Sequence, residues 1–398
     1  MSRQQAVHAR VRPLRDRTTI LAYGQLGLLG WFVYGFGASL TLLRDDEGLT
    51  RTVTSILSIS LAAGGVLASV LAAVAVRRWG RGRILRAASL LVAVGCLLYV
   101  SNGPLWLVAA GPFVGSMGCG LSAVCASAYL EAHQGRAADA ALAEGNVVAS
   151  SASLVGTFAI GVAATTAWGW RTGMILLAVL AIALELARGG SVSVFNAGTA
   201  IENRRHAPGL PALMWWAIAT LILLTSAEIT LIQWGADLLR DRGGLGAAAA
   251  STSIAAIVIG MIIGRVVGSR IVESVDSEVL FGCTIVFAAA AFLFTWLVSG
   301  APWMVTGFVL TGIGIGMHFP LGIGRAMRAS LGQPDRAAGW TSAGIGLMSG
   351  LAPFALAALA DAWGVHNAFA LLLACFAASF VLFLWKRVPD AMVEVPAA

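Results

Sequence analysis

The chain has 398 residues, of which 58% are hydrophobic and only 11% are charged, and its formal net charge at pH 7 is +7. A soluble protein carries far more charge, so the composition excludes that class and predicts an α-helical membrane protein. The apolar segments are continuous, unlike the alternating strands of about ten residues in a membrane barrel. The basic residues lie in loops, which argues against nucleic acid as a partner and for a lipid bilayer.

Twelve apolar segments are each long enough to cross about 30 Å of hydrocarbon. We predict membrane spans at residues 19–43, 52–76, 83–101, 103–128, 142–165, 170–188, 211–236, 246–270, 278–299, 301–325, 337–360 and 366–386. The expected fold class is therefore an all-α membrane protein with twelve transmembrane helices.

An internal repeat divides these spans into two halves. The segment 42–49 returns at 238–245 with the same Leu-Leu-Arg-Asp start, and Ala-Trp-Gly at 167–169 returns at 362–364. Parallel repeats of this kind are typical of carriers with a substrate site between two lobes. We predict an N-terminal six-helix lobe at 1–188, a cytoplasmic linker at 189–210 and a C-terminal six-helix lobe at 211–398.

The distribution of basic residues predicts the orientation in the membrane. Twenty of the 26 Arg and Lys residues fall in the N-terminal tail or in loops on the same side of the membrane as that tail, and five fall in loops on the opposite side. The positive-inside rule then places both termini in the cytoplasm. The excess of Arg over Lys, together with the high alanine content, predicts a bacterial source, so we expect a multi-pass protein of a bacterial plasma membrane.

Two loop motifs support a family resemblance. Arg77-Arg78-Trp79-Gly80-Arg81 resembles the loop between spans two and three of the major facilitator superfamily, and residues 168–171 resemble the start of its span six. Together with twelve spans in two halves, they indicate a resemblance over essentially the whole chain. The resemblance implies a secondary active transporter that moves a small organic solute by alternating access.

The C-terminal half is most similar to the fucose-permease-like branch of that family. The similarity lies in residues 228–235, 260–270 and 339–353. It implies import of a sugar-like or polyol substrate. Proton-driven efflux of drug-like or natural-product compounds is the alternative, and an intramembrane enzyme or a receptor is a more distant one.

Glu228 and His318 are the candidate proton carriers. Glu228 lies about 12 Å inside the outer end of span seven, at about 1.5 Å per residue, where an ionised carboxylate is costly. A group in that position can take up and release a proton as a cavity opens to either side. The alternative is a structural role, with Glu228 hydrogen-bonded to Thr225 and with His318 packed as a neutral ring in span ten.

Span seven and span one supply the candidate substrate-binding residues. Gln233 and Trp234 share a helix face whose amide and ring suit a polyol, although an interfacial Trp explains the same pattern. Trp31 and Tyr34 lie beside glycines in span one, which lines the cavity in the resembling family. Glu228 lies on another face of span seven, and the pattern leaves open which face lines the cavity.

Basic residues near the cytoplasmic span ends are the candidate gate. They are Arg77, Arg78, Arg81, Arg265 and Arg270, with Glu273 as an acidic partner. Ion pairs among them predict an inner gate, but the positive-inside rule explains most of them equally well. Arg265 either reaches the cytoplasmic interface or, if it faces the cavity, holds a carboxylate or phosphate.

Motifs for catalysis and cofactors are weak. The pattern Gly37-Ala38-Ser39-Leu40 matches a short serine motif of intramembrane proteases, but it has no histidine at a matched depth. The chain has no phosphate-binding loop, and the five cysteines form no CxxC pair. We therefore expect no catalytic residue, no cofactor and no metal, with a small-molecule substrate and protons as partners of a functional monomer.

Overall fold

The computed structural model describes residues 13–190, 193–196, 209, 211–272, 274–331 and 333–385, and these residues contain no β-strand. The α-helices are α1 (Arg17–Glu47), α2 (Arg51–Trp79), α3 (Arg81–Tyr99), α4 (Leu105–Gln134), α5 (Ala138–Ala163), α6 (Arg171–Arg188), α7 (Ala212–Gly243), α8 (Ala247–Ser253), α9 (Ala255–Ile271), α10 (Ser277–Leu297), α11 (Ala301–Ile315), α12 (His318–Arg328), α13 (Pro334–Trp363), α14 (Val365–Ala368) and α15 (Ala370–Trp385).

The twelve predicted spans are confirmed as helical segments. Three of them consist of two helices each, namely α8 with α9, α11 with α12, and α14 with α15. Eleven segments in the described part of the chain are long and apolar enough to cross a membrane. The remaining one, α6, has only 18 residues, and Arg171, Glu185 and Arg188 lie near its ends. We call α1–α6 the first lobe and α7–α15 the second lobe.

The repeated Leu-Leu-Arg-Asp segment forms the end of the first helix in each lobe. In α1 it is followed by Gly48 with φ of 62°, and in α7 by Gly244 with φ of 69°. This left-handed conformation is accessible to glycine at little cost, and it ends the helix by turning the chain away. The sequence repeat therefore corresponds to two equivalent helix C-termini.

Helix direction defines two faces of the molecule. The tail face is where α1 begins and α15 ends, and the far face is where α1 and α7 end. At the tail face, Asp16 caps α1 and accepts hydrogen bonds from the Thr19 N–H (2.8 Å) and from His133 (2.8 Å). Although burial opposes ionisation, these hydrogen bonds lower the pKa of Asp16 to about 2, so Asp16 stays charged near neutral pH.

The two lobes meet closely in their far half. Gly161 of α5 lies so close to α8 that an added Cβ would be 2.0 Å from Thr252 Oγ1. Ser251 Oγ donates a hydrogen bond of 2.5 Å to the carbonyl oxygen of Ala38, which joins α8 to α1. These contacts require small side chains at the crossing points, as is usual for helices packed within a membrane.

In the tail half, by contrast, a cleft of about 680 Å³ separates the lobes. Its walls come from α2, α4 and the first residue of α3 in the first lobe and from α13 in the second, and Arg81 and Trp340 are among the residues that line it. The structure is thus closed at the far face and open at the tail face.

Candidate functional site between the lobes

Glu228 of α7 is the buried carboxylate at the centre of the candidate site. It is 8% exposed, and its Oε1 accepts a hydrogen bond of 3.0 Å from the Tyr34 hydroxyl group of α1. The two helices cross closely because Gly37 faces Ile232, where an added Cβ would lie 2.9 Å from Ile232 Cγ2. The first helix of one lobe therefore contacts the first helix of the other through a hydrogen-bonded carboxylate.

Arg265 of α9 crosses the same interface from the second lobe. Its Nη1 donates a hydrogen bond of 2.7 Å to Ser150 Oγ in α5, and its Nε donates one of 3.2 Å to the carbonyl oxygen of Gly316. The guanidinium also interacts electrostatically with Glu228. The side chain thus points into the interface between the lobes and not only toward the tail face.

Tyr34 and Arg265 line a cavity of about 140 Å³ between α1, α5 and α9. The other polar side chains of its wall are Asn146, Ser150 and Ser153 of α5, and its apolar wall includes Met261 of α9. These polar groups of α5 share the cavity wall with a guanidinium and a phenol, an arrangement able to bind a small polar group.

A network of charged residues closes the far face. Asp237 of α7, with 2% of its side chain exposed, accepts hydrogen bonds from Arg44 of α1 and from Arg51 Nε of α2, the latter at 2.7 Å. Arg240 of α7 forms an ion pair of 2.5 Å with Asp45 of α1. Each of these ion pairs joins the first lobe to the second, so the network stabilises the closed far face.

A further contact extends this network to α13. Asp361 accepts hydrogen bonds from the N–H and the hydroxyl group of Thr52, at 2.8 Å and 2.7 Å. In the sequence, the Arg-Asp pairs at 44–45 and 240–241 indicate a repeat and do not by themselves identify their partners. Their position at equivalent helix ends was the signal that could have identified this gate.

Comparison with known proteins identifies the family. The profile of the Major Facilitator Superfamily matches residues 26–330, which is most of the chain. The chain belongs to the major facilitator superfamily. It is therefore a transporter and not an enzyme, and the predicted fold class of two six-helix lobes is confirmed.

Solved structures of other superfamily members have the same fold. A bacterial homologue of the human lysosomal transporter Spinster, in an inward-facing and occupied conformation, matches with a TM-score of 0.78 and 12% identity over 96% of this chain and 99% of that one. The xylose transporter XylE from E. coli, partially occluded and inward open, matches with a TM-score of 0.74 and 11% identity over 94% and 99%. The nucleoside transporter NupG matches with a TM-score of 0.75 and 11% identity over 93% and 99%. No curated protein matches the sequence.

Two of the predicted substrate-binding residues of this superfamily member lie in its packed interior. Trp31 is 6% exposed, and its indole ring lies under Gly156, where an added Cβ would be 2.6 Å from Trp31 Cγ. Trp234 is fully buried. Neither tryptophan lines the 140 Å³ cavity or the 680 Å³ cleft.

Gln233 contacts the other lobe instead of a cavity. Its Oε1 accepts a hydrogen bond of 2.5 Å from Ser58 Oγ in α2. Both faces of α7 considered in the sequence analysis therefore contact the first lobe: the Glu228 face contacts α1, and the Gln233 face contacts α2. The Glu228 face adjoins Tyr34, a residue of the 140 Å³ cavity.

His318, the second predicted proton carrier, lies inside the second lobe. Its ring is 1% exposed and packs between Phe281 of α10 and Phe376 of α15, with both ring centroids 6.4 Å away. These neighbours are aromatic and uncharged. The structure does not bring His318 together with Glu228 at the lobe interface.

The predicted gating residues are spread along the tail face. Arg77, Arg78 and Arg270 are exposed, whereas Arg81 is buried and lines the 680 Å³ cleft. Glu273 lies outside the described residues. A gate formed by this group stays a prediction for the state in which the tail face closes.

Metal binding has no candidate in the described part of the chain. No group of three or more His, Cys, Asp or Glu side chains there is arranged to hold a metal ion. The five cysteines are free thiols, and Cys96, Cys119 and Cys125 are buried.

Proposed function

We propose that this transporter moves a small hydrophilic organic solute by alternating access, and that Glu228 couples the movement to protons. The observation that carries the proposal is the hydrogen bond of 3.0 Å between Tyr34 and Glu228, formed between the lobes and beside a polar cavity. Rocking of one lobe against the other separates α1 from α7, so the carboxylate changes its environment in each transport cycle.

Proton coupling follows from the cost of an ionised carboxylate within a membrane. Glu228 is 8% exposed and has two polar neighbours that act on its charge, the Tyr34 hydroxyl group and the Arg265 guanidinium. Any movement that separates Glu228 from these groups favours the neutral acid, and any movement that restores them favours the carboxylate. A conformational change can therefore load and release one proton at this residue.

The polar cavity supports a sugar-like or polyol substrate. Asn146, Ser150 and Tyr34 offer an amide, a hydroxyl group and a phenol within a cavity of about 140 Å³. Such groups hydrogen-bond well to hydroxylated solutes. The resemblance of the second lobe to fucose-permease-like transporters, and the fold shared with a xylose transporter, support the same substrate class.

Efflux of drug-like or natural-product compounds is the second candidate function, and the 680 Å³ cleft favours it. Val66, Val70, Val124 and Trp340 give this cleft an apolar wall large enough for an amphipathic molecule. A multi-substrate exporter binds mainly through such apolar area. The two functions differ in the direction of transport and in the site at which the compound binds.

We also propose the orientation and setting of the transporter. The tail face carries most of the basic residues, which supports a cytoplasmic location for both termini in a bacterial plasma membrane. The two lobes enclose the cavity within a single chain, which supports function as a monomer.

Comparative metabolite profiling tests the proposal. Cells and their medium would be compared after expression of wild type, Glu228→Gln or the control Glu131→Gln, which changes an exposed carboxylate at the end of α4. We expect wild type and the control to redistribute a solute in a gradient-dependent manner, while Glu228→Gln keeps exchange but loses accumulation. Wild-type accumulation by Glu228→Gln contradicts coupling through this residue, and export of amphipathic compounds favours the efflux function.

A further inference from the structure

Arg265 carries a guanidinium at the lobe interface, and both of its hydrogen-bond acceptors are neutral groups. Its hydrogen bonds go to the Ser150 hydroxyl group and to the carbonyl oxygen of Gly316. Among the described residues, no carboxylate oxygen lies within the 4.0 Å of an ion pair with it. A positive charge inside a membrane protein is costly unless an anion compensates it, and such residues mark substrate pathways.

The Glu228 carboxylate does not form an ion pair with Arg265. Glu228 interacts with Arg265 electrostatically, but its Oε1 accepts its hydrogen bond from Tyr34. Arg265 and Tyr34 both line the 140 Å³ cavity, whereas Glu228 is not part of the cavity wall. The cavity therefore presents a cation and a phenol to its contents, with the carboxylate behind the phenol.

We propose that Arg265, Tyr34 and Ser150 form a carboxylate-binding subsite, so that the substrate is a small hydroxylated organic acid. This inference rests on the transport function proposed above and narrows its substrate class. A guanidinium binds a carboxylate through two parallel N–H groups, and the hydroxyl group of Tyr34 can donate to the same oxygens. Ser150 Oγ donates to the carbonyl oxygen of Asn146 at 2.9 Å and accepts from Arg265 Nη1, so Ser150 positions the guanidinium. The single guanidinium in the cavity matches one negative charge, which favours a carboxylate over a doubly charged phosphate.

The dimensions of the cavity limit the size of the acid. A volume of about 140 Å³ equals the space of roughly five water molecules in the liquid, at about 30 Å³ each. It is large enough for a carboxylate and the first few carbon atoms attached to it. Asn146 and Ser153 lie in the same wall and can hydrogen-bond to hydroxyl groups on those carbons.

Glu228 gives the subsite a means of coupling to protons. The groups that act on its charge are the Arg265 guanidinium from α9 and the neutral hydroxyl group of Tyr34 from α1. While Glu228 is ionised, it accepts the hydrogen bond of the Tyr34 hydroxyl group, and its negative charge repels an incoming carboxylate. Once Glu228 is protonated, Tyr34 can donate to the substrate and the repulsion is lost, so one proton and one monoanion load together without a net change of charge.

Binding to the purified full-length protein in detergent tests the subsite. The probes are matched pairs that differ only in the acid group, gluconate with sorbitol and lactate with 1,2-propanediol, together with a series of carboxylates of about two to six carbons. Thermal stabilisation and titration calorimetry at mildly acidic pH measure binding. The variants are Arg265→Gln, Arg265→Lys and the control Arg83→Gln, which changes an exposed arginine outside the cavity.

We expect at least one carboxylate to bind wild type and Arg83→Gln, while its neutral counterpart does not. Arg265→Gln should weaken that binding about 10- to 100-fold, the range expected for loss of a hydrogen bond to a charged group. Arg265→Lys should bind with intermediate affinity because it keeps the charge but not the planar fork. Equal binding of the neutral partner, undiminished binding by Arg265→Gln, or no binding by any carboxylate of the series overturns the proposal.

Failure of this inference is distinguishable from failure of the transport proposal. The binding assay uses no membrane and no gradient, so it reports on the subsite alone. Loss of accumulation in Glu228→Gln cells with a neutral solute as the transported compound would uphold proton coupling and overturn the carboxylate subsite. Carboxylate binding that depends on Arg265, together with wild-type accumulation in Glu228→Gln cells, would uphold the carboxylate subsite and overturn proton coupling through Glu228.

Discussion

Tyr34 and Glu228, 194 positions apart in the sequence, form a hydrogen bond of 3.0 Å between the first helices of the two lobes. The bond joins a phenol of the cavity wall to a carboxylate just behind it. It therefore links three properties of the transporter: the contact between the lobes, the polar lining of the cavity and the ionisation of Glu228.

Replacement of Tyr34 tests this linkage. Tyr34→Phe keeps the ring and removes the hydroxyl group that bonds to Glu228 at 3.0 Å and contacts the Met261 sulfur at 3.8 Å. We expect proton-driven solute accumulation to fall about tenfold, as for loss of a hydrogen bond to a charged group. The matched control is Tyr99→Phe, which removes a hydrogen bond of 3.0 Å to Ser39 inside the first lobe. Uptake driven by an imposed pH gradient in proteoliposomes measures both variants. Equal losses would show that the effect does not arise from the lobe interface.

The network at the far face predicts how the transporter favours one conformation. Asp237→Asn leaves Arg44 and Arg51 without their shared partner, and breaking a buried ion pair costs about 3 kcal/mol or more. We expect the closed far face to become roughly 100-fold less populated relative to the open one. Hydrogen exchange at the ends of α1 and α7 should then increase.

Asp46→Asn is the control for that experiment. Asp46 pairs at 2.6 Å with Arg171, and both residues belong to the first lobe. Its loss removes an ion pair at the same face without separating the lobes, so exchange at the end of α7 should stay as in wild type. If Asp46→Asn and Asp237→Asn have the same effect, the far-face ion pairs contribute to general stability and not to a gate.

A substitution at Gly161 tests whether the closed far face depends on the close approach of α5 and α8. A methyl group at this position would lie 2.0 Å from Thr252 Oγ1 across the lobe interface. Gly161→Ala should therefore cost about 1–3 kcal/mol in the closed state only, and it should reduce the transport rate without unfolding the protein. Gly65→Ala is the control because an added Cβ there meets no atom within 4 Å. A transport rate for Gly161→Ala equal to that of Gly65→Ala contradicts the close approach of α5 and α8.

A buried ion pair in the second lobe predicts a change in stability alone. Arg325, 1% exposed, donates through Nε to Glu278 Oε1 at 3.0 Å. Glu278→Gln removes the negative charge next to a buried guanidinium, which should destabilise the protein by about 3 kcal/mol. The apparent melting temperature in detergent measures the loss, and Glu131→Gln serves as an exposed control. An unchanged melting temperature for Glu278→Gln would contradict this account.

His318 gives the complementary prediction about coupling. Its ring packs between Phe281 and Phe376 inside the second lobe, so His318→Gln should keep gradient-driven accumulation within about twofold of wild type while lowering thermal stability. Accumulation assays beside Glu228→Gln distinguish the two residues. Loss of accumulation by a folded His318→Gln protein would restore His318 as a proton carrier.

The sequence predicted the fold well and the site only in part. Hydropathy placed all twelve spans, because a helix that crosses a membrane must be apolar over most of its length. Glu228 is predicted as a site residue because a carboxylate is costly within a span, whereas Tyr34 and Trp31 are predicted from their place beside glycines in span one. Trp234 is predicted from the helix face that it shares with Gln233. The structure places Trp31 and Trp234 in packed interiors instead of the cavity.

The sequence by itself determined the membrane class, the number of spans, the internal repeat and the rarity of buried charges, because each of these depends on local composition. Only the tertiary structure decided which partner each buried charged side chain contacts. Arg44 is paired with Asp237, Tyr34 with Glu228 and Arg265 with Ser150 across the lobes. Residues more than one hundred positions apart meet through the rotation and depth of packed helices, and periodicity within one helix carries no information about its partner.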